Sequence, residues 1–189
     1  MKIFLLLGNP DRDTTSGRFL DAYERGAREA GHEVRRTNIG EIKFDPILHF
    51  GYKTIQALEP DLLKIQEDIR WADHFVILYP VWWSSMPAIL KGMFDRMWMP
   101  GFAFKFFPDG LRWRRLLKGK TARIFVTSDS WPPISRIIFG DTTNELRKGI
   151  LWFSGISPSV KKIGPLKHIS AEKKEVWNQK FFNWGKGGY

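Results

Sequence analysis

The chain of 189 residues contains no cysteine, which excludes disulfides, thiolate metal sites and cysteine nucleophiles at once. Redox chemistry, if any, must come from a bound cofactor. Long apolar runs are missing too, since no stretch approaches the roughly 20 residues needed to span a bilayer. The opening run Ile3 to Leu7 is too short for a signal-peptide core, and Gly8-Asn9-Pro10-Asp11 breaks it. A cytoplasmic chain with no integral membrane segment is expected. Neither a G-x-G-x-x-G fingerprint nor a P-loop occurs. Histidine is scarce: His32, His49, His74 and His168 stand in unrelated contexts, and none is assigned as a general acid.

Acidic residues are outnumbered, 20 against 30 Lys and Arg, for a formal charge of +10. Seven of the cations (Lys105, Arg112, Arg114, Arg115, Lys118, Lys120, Arg123) fall between residues 105 and 123. Such a cluster is read as solvated surface, as a site for anionic small molecules, or as a nucleic-acid face. No RNA- or DNA-binding motif accompanies it, so nucleic acid is not expected as a partner. A hydrophobic content of 43% and an aromatic content of 15% indicate a folded chain, and its length fits one domain over residues 1–189.

Strand-like and helix-like patterns alternate. Lys2 to Leu7 reads as a buried strand, Phe19 to Ala30 as a helix stopped by Gly31, and Glu33 to Thr37 as a second strand. Residues 38 to 57 show no period and are taken as an irregular excursion. A helix follows Glu59-Pro60-Asp61, then a strand from His74 to Tyr79 and a helix from Pro87 to Met97 with Ser85 as its cap. Further on come a strand from Thr121 to Thr127, a helix from Leu146 to Phe153 closed by Gly155, a strand from Val160 to Ile163 and a helix from Ala171 to Trp184. Alternation of this kind predicts a parallel sheet covered on both faces. Ligands of such sheets sit beyond the carboxyl ends of the strands, which directs attention to residues 8 to 17, 80 to 86 and 127 to 133.

In the first of these loops, Thr14, Thr15, Ser16 and Gly17 offer hydroxyls and free N–H groups at a helix start. They suit a phosphate, or simply cap the helix. The second loop sets Trp82 and Trp83 between a strand and a helix, as the wall of a flat ligand or as core or subunit contact. In the third, Asp129 either caps a turn or stands at a ligand edge. Met86, Met97, Trp98, Met99 and Phe102 divide between core and interface in the same open way.

The segment "PVWWSSMPAILKGMFDRMWMPGFAF" resembles the flavodoxin-like NAD(P)H:quinone oxidoreductase family. Pro80, Trp82, Trp83, Pro87, Ala88, Leu90, Lys91, Gly92, Asp95, Arg96, Gly101, Phe102 and Ala103 match that family's pattern, and the likeness extends from Lys2 to about Ile163. It departs in the first loop, where Asn9 stands at a His position and Thr14-Thr15-Ser16 replaces Ser-Phe-Asn. It departs again in the third loop, where Thr127-Ser128-Asp129-Ser130 replaces Thr-Thr-Gly-Gly. The family's Tyr and His beside the quinone have no counterpart.

The resemblance implies a flavodoxin-like three-layer α/β sandwich with a five-stranded parallel sheet. It implies a flavin at the carboxyl edge, contacted by Asn9, Thr14, Thr15, Ser16 and Gly17 in the first loop. Pro80, Val81, Trp82 and Trp83 would follow the ring, and Thr127, Ser128 and Asp129 would meet its pyrimidine edge. FAD is slightly favoured over FMN, because the first loop is long enough to meet a pyrophosphate. The expected activity is ping-pong, two-electron transfer from NAD(P)H to a quinone or similar flat acceptor, in a homodimer and with no metal. Two alternatives stand beside it. One is a flavin-binding accessory subunit of a membrane potassium-efflux system, which implies a peripheral membrane partner. The other is a one-electron flavodoxin-type carrier, against which the positive charge argues.

Overall fold

The computed structural model describes residues 1–167 and 169–188; His168 lies outside them. Strands β1 (Lys2–Leu7), β2 (Glu33–Asn38), β3 (His74–Pro80), β6 (Thr121–Thr127) and β7 (Ser157–Ile163) form one sheet in the order β2-β1-β3-β6-β7. Every pairing within it is parallel. The helices are α1 (Thr15–Glu29), α2 (Pro60–Trp71), α3 (Ala88–Met97), α4 (Pro132–Phe139) and α5 (Ala171–Gly187), with a π-helical segment at Glu145–Trp152. A short antiparallel hairpin, β4 (Phe104–Phe106) with β5 (Trp113–Arg115), stands apart from the sheet.

Central strands of a parallel sheet are covered on both faces and so read as continuous apolar runs. Ile3 to Leu7 and Phe75 to Tyr79 do so and are buried. Alternate residues then serve opposite cores. Phe4, Leu6, Phe75, Ile77, Ile124 and Val126 pack with α2, α3 and the π-helical segment. Ile3, Leu5, Leu7, Val76, Leu78 and Phe125 pack with α1 and α5. The result is the expected flavodoxin-like three-layer sandwich.

The excursion after β2 contains one 3-10 turn, Ile39–Glu41, and is otherwise irregular as far as α2. It is held by α3. The buried Arg96 guanidinium donates to the carbonyls of Asp45 and Ala57 and pairs with both carboxylate oxygens of Glu59, at 3.1 and 3.0 Å. A Cβ on Gly92 would lie 2.5 Å from the Pro46 carbonyl, so only glycine lets the excursion lie against this helix. Two residues of the family-like segment are therefore structural staples.

Several expectations need correction. Ser85 does not cap α3, whose N-cap position is Pro87 and which has no side-chain cap. The Ser85 hydroxyl instead donates to Glu145. Met86, Met97, Trp98 and Phe102 are core, whereas Met99 is half-buried and lines a surface groove. The hairpin and α4 were not expected, and β7 begins three residues earlier than its apolar pattern suggests. The basic cluster is dispersed. Four of its cations lie on or beside the hairpin, while Lys120 donates to the carbonyls of Arg70 and Ala72 at the opposite, N-terminal edge of the sheet.

Candidate functional site

The chain leaves β1 for β2 on one side and reaches β3 on the other, so the winding reverses between β1 and β3. Loops from β1, β3 and β6 therefore emerge side by side at the carboxyl edge. Register fixes how close they come. The Gly8 N–H donates to the Leu78 carbonyl at 2.7 Å, Pro80 stands opposite Thr127, and Val81 N–H donates to the Thr127 carbonyl at 2.8 Å.

The first loop is braced mostly by its own polar groups. Thr14 Oγ1 caps α1 by accepting from Gly17 N–H at 3.3 Å, and itself accepts from Asn9 Nδ2 at 3.2 Å. Asn9 Oδ1 accepts from Asp11 N–H. Asn9 is thus a buried brace. The Ser16 hydroxyl is also buried, bonded to the Thr127 hydroxyl at 3.1 Å, which locks the first loop to the third. A Cβ at Gly17 would lie 1.9 Å from the Arg12 carbonyl, so this glycine serves loop closure. What remains open at the helix start is backbone: among the described residues, Thr15 and Ser16 N–H have no protein acceptor. These groups, with the positive end of the helix dipole, suit an anion.

The second loop is a tight two-residue turn. Trp82 and Ser85 exchange both backbone hydrogen bonds, at 2.9 and 3.0 Å. Trp83 and Ser84 take positive φ values of 48° and 64°. That is the conformation Asn-Gly favours in a I′ turn. For side-chain-bearing residues it costs about 1–2 kcal/mol each. The turn holds Trp83 fully in solvent (100% exposed) and Trp82 about half so (47%). Neither indole is core. Strain of this sort is concentrated at sites of function.

The third loop is partly closed. Ser128 exchanges backbone hydrogen bonds with Ile163 and Leu166, and its hydroxyl donates to the Ser130 carbonyl at 2.8 Å. Asp129 is exposed and makes no hydrogen bond among the described residues. Directly after it, α4 exposes Ile134, Ile137, Ile138 and Phe139 and buries no residue. This helix, the Glu145 partner of Ser85, and Arg147 and Lys162 are edge features that sequence reasoning missed. Pro132-Pro133 at a first helical turn was the available signal for α4.

Titratable groups separate along the strands. Tyr79, next to the end of β3, is a buried phenol whose ionisation is pushed up by burial and then by the charges of Glu145 and Asp141. His74 begins β3, is buried, and bonds the Thr121 hydroxyl at 2.7 Å. Burial, then the Arg123 charge, lowers it from 6.5 to about 4. At the far edge of the sheet it is a packing residue. His32 and His49 also lie away from the loops, bonded to the Lys186 carbonyl and to Asp45. Among the described residues no group of acidic or histidine side chains is arranged to hold a metal ion, and no helix is long and apolar enough to cross a membrane. A groove of about 790 Å³ lies outside the three loops, between the outer side of α3, the hairpin and the π-helical segment.

Residues 1–173 match a family model described as a flavodoxin-like fold. A ribosyldihydronicotinamide dehydrogenase-like protein of Penicillium crustosum is 26% identical over 190 residues, covering 82% of this chain and 69% of its own. Human ribosyldihydronicotinamide dehydrogenase [quinone] is 29% identical over 159 residues, covering 75% and 67%. Among solved structures, Smu.1420 of Streptococcus mutans superposes with a TM-score of 0.85 at 25% identity, covering 99% of this chain and 100% of its own. With residues 1–173 matched by the family model, the chain belongs to the flavodoxin-like fold family, among relatives named as NAD(P)H oxidoreductases and quinone dehydrogenases.

Proposed function

We propose that residues 1–189 form one flavin-binding unit that oxidises NAD(P)H and reduces quinones or similar flat acceptors, as a cytoplasmic homodimer. The observation that carries this is the second loop. A strained turn holds two indoles out of the core at the point where the sheet's winding reverses. A flat apolar ring system calls for aromatic walls, which the two exposed indoles supply.

In this reading Thr15 and Ser16 N–H hold the phosphate, while Asn9, Thr14 and Gly17 keep that end of the loop in shape. Trp82 and Trp83 flank the ring, Pro80 and Val81 fix the floor beneath it, and Thr127, Ser128 and Asp129 border its polar edge. A bound flavin would supply the two-electron redox chemistry between NAD(P)H and the acceptor. The chain's own part is to align donor and acceptor in turn on one face and to exclude water. The apolar side of α4 and the two indoles do this. Among the described residues no side chain at the edge is placed as a general acid. A second copy covers the groove of Trp98, Met99, Phe104 and Phe153, where the exposed Tyr52 and Ile55 lie.

Stopped-flow mixing of the flavin-loaded protein with NADH or NADPH tests this directly. Bleaching of the flavin band, then its return on adding a quinone, is expected without any partner protein. A flavin that neither donor reduces would overturn the oxidoreductase reading.

A further inference from the structure

A second, polar cavity adjoins the third loop. It measures about 430 Å³ and is lined by Pro132, Pro133, Arg136, Asp141, Arg147 and Lys162 among others. Three separate segments supply its cations: α4 gives Arg136, the π-helical segment Arg147, and β7 Lys162. Lys162 stands in register with Val126, one residue before Thr127, so the cavity opens at the same sheet edge as the three loops.

Its charges are not balanced from within. Asp141 is the sole carboxylate among the lining residues. It already accepts from the Thr143 N–H and hydroxyl at 3.1 and 2.7 Å. It also holds Arg147 and Lys162, each at a long 3.3 Å. Arg147 Nε is buried without an acceptor. Arg136 makes no ion pair or side-chain hydrogen bond among the described residues. Three cations against one carboxylate leave a surplus of two positive charges around a cavity with an unused buried donor. Ordinary solvated surface accounts for Arg136 alone. Arg147 Nε is one of four arginine N–H groups buried without an acceptor among the described residues, with those of Arg36, Arg96 and Arg123, and of the four arginines it alone lines this cavity.

Resting on the oxidoreductase reading, we propose that this pocket binds the 2′-phosphate of a reduced nicotinamide dinucleotide, so that NADPH is the preferred donor. A phosphomonoester brings nearly two negative charges and three acceptor oxygens near neutral pH. Guanidinium groups match that geometry through paired N–H donors. Pro132 and Pro133 supply an apolar wall for the adjoining ribose. Asp141 orients Arg147 and Lys162 and repels a second anion, which limits the pocket to one phosphate.

The test compares adenosine 2′,5′-bisphosphate, adenosine 5′-monophosphate and inorganic phosphate by calorimetry on the full chain, alongside the NADPH-to-NADH ratio of kcat/KM. The bisphosphate is expected to bind roughly 10-fold tighter than the monophosphate. Arg136→Ala should abolish most of that margin and lower the NADPH-to-NADH ratio in parallel, with Arg136→Lys restoring part of both. Because Arg136 lies on an exposed helix, folding is checked by an unchanged urea midpoint, and Lys162→Met gives an independent second variant. Equal affinity for the two nucleotides, or a margin that survives both variants, would overturn the proposal. So would displacement by inorganic phosphate with no donor preference, which would mark a free-phosphate site. If neither donor bleaches the flavin while the bisphosphate margin holds, the oxidoreductase reading fails and the pocket stands as a phosphomonoester site.

Discussion

Helices α3 and α4 follow neighbouring strands at the same sheet edge, and both are rich in apolar residues. Their fates differ completely. In α3, Leu90, Met93, Phe94 and Met97 are buried in the core beneath the sheet. In α4, Ile134, Ile137, Ile138 and Phe139 all face outward, with Ile137 85% exposed. Apolar content is therefore spent in two ways at one edge. Burial in α3 stabilises the chain at about 25 cal/mol per Å², whereas the surface of α4 contributes nothing until something covers it. An exposed apolar element of this kind marks an interaction surface, and under the proposed function α3 holds the site while α4 contacts the ligand.

That comparison can be broken at its firmest point first. Arg96→Ala removes the clamp joining α3 to the excursion and leaves Glu59 unpaired, which should cost about 3–5 kcal/mol in urea unfolding. Retention of near wild-type stability would show that α3 is held by its apolar face alone. Next, Leu90→Ala should lose about 2–5 kcal/mol, while Ile137→Ala should stay within about 0.5 kcal/mol. Similar losses at both positions would mean that α4 is packed after all.

A third measurement concerns the opposite edge of the sheet. Unfolded His74 takes up a proton near 6.5, which the folded chain refuses until about 4. The unfolded state therefore binds more protons throughout that window, and stability falls as pH drops through it, by about 3 kcal/mol in all. His74→Asn should flatten this slope without altering flavin binding. The smallest effect is expected at the turn. Trp83→Gly relieves a positive φ and should stabilise the chain by about 1 kcal/mol, yet weaken flavin affinity. A mutant that is stabilised with undiminished affinity would separate the strained turn from function.

How much of this was legible beforehand follows from how each element is stabilised. β1 and β3 were readable because strands covered on both faces carry uninterrupted apolar runs, and β6 from the shorter run Ile124-Phe125-Val126. β7 was foreshortened because it is an edge strand whose Ser157, Ser159 and Lys161 are exposed, so its alternation is mostly polar. The hairpin has strands of three residues each, too short for any period to show. α4 has no buried stripe, and stripes are what periodic reading detects. In the first loop the sequence revealed the right groups but not their allegiance. Thr14 and Ser16 look available in one dimension, and only the fold shows that Gly17 and Thr127 already occupy them. Arg147 and Lys162 are 15 residues apart and meet only through Asp141.

The central claim is that the carboxyl-edge loops hold a flavin against the exposed tryptophans. Titrating flavin-free protein with FMN and with FAD, while following tryptophan emission, tests it most directly. The expected result is saturable quenching at one flavin per chain, with FAD the tighter ligand and a markedly weaker response in Trp82→Leu and Trp83→Leu. Absence of saturable binding by either flavin, or binding indifferent to both tryptophans, would contradict it.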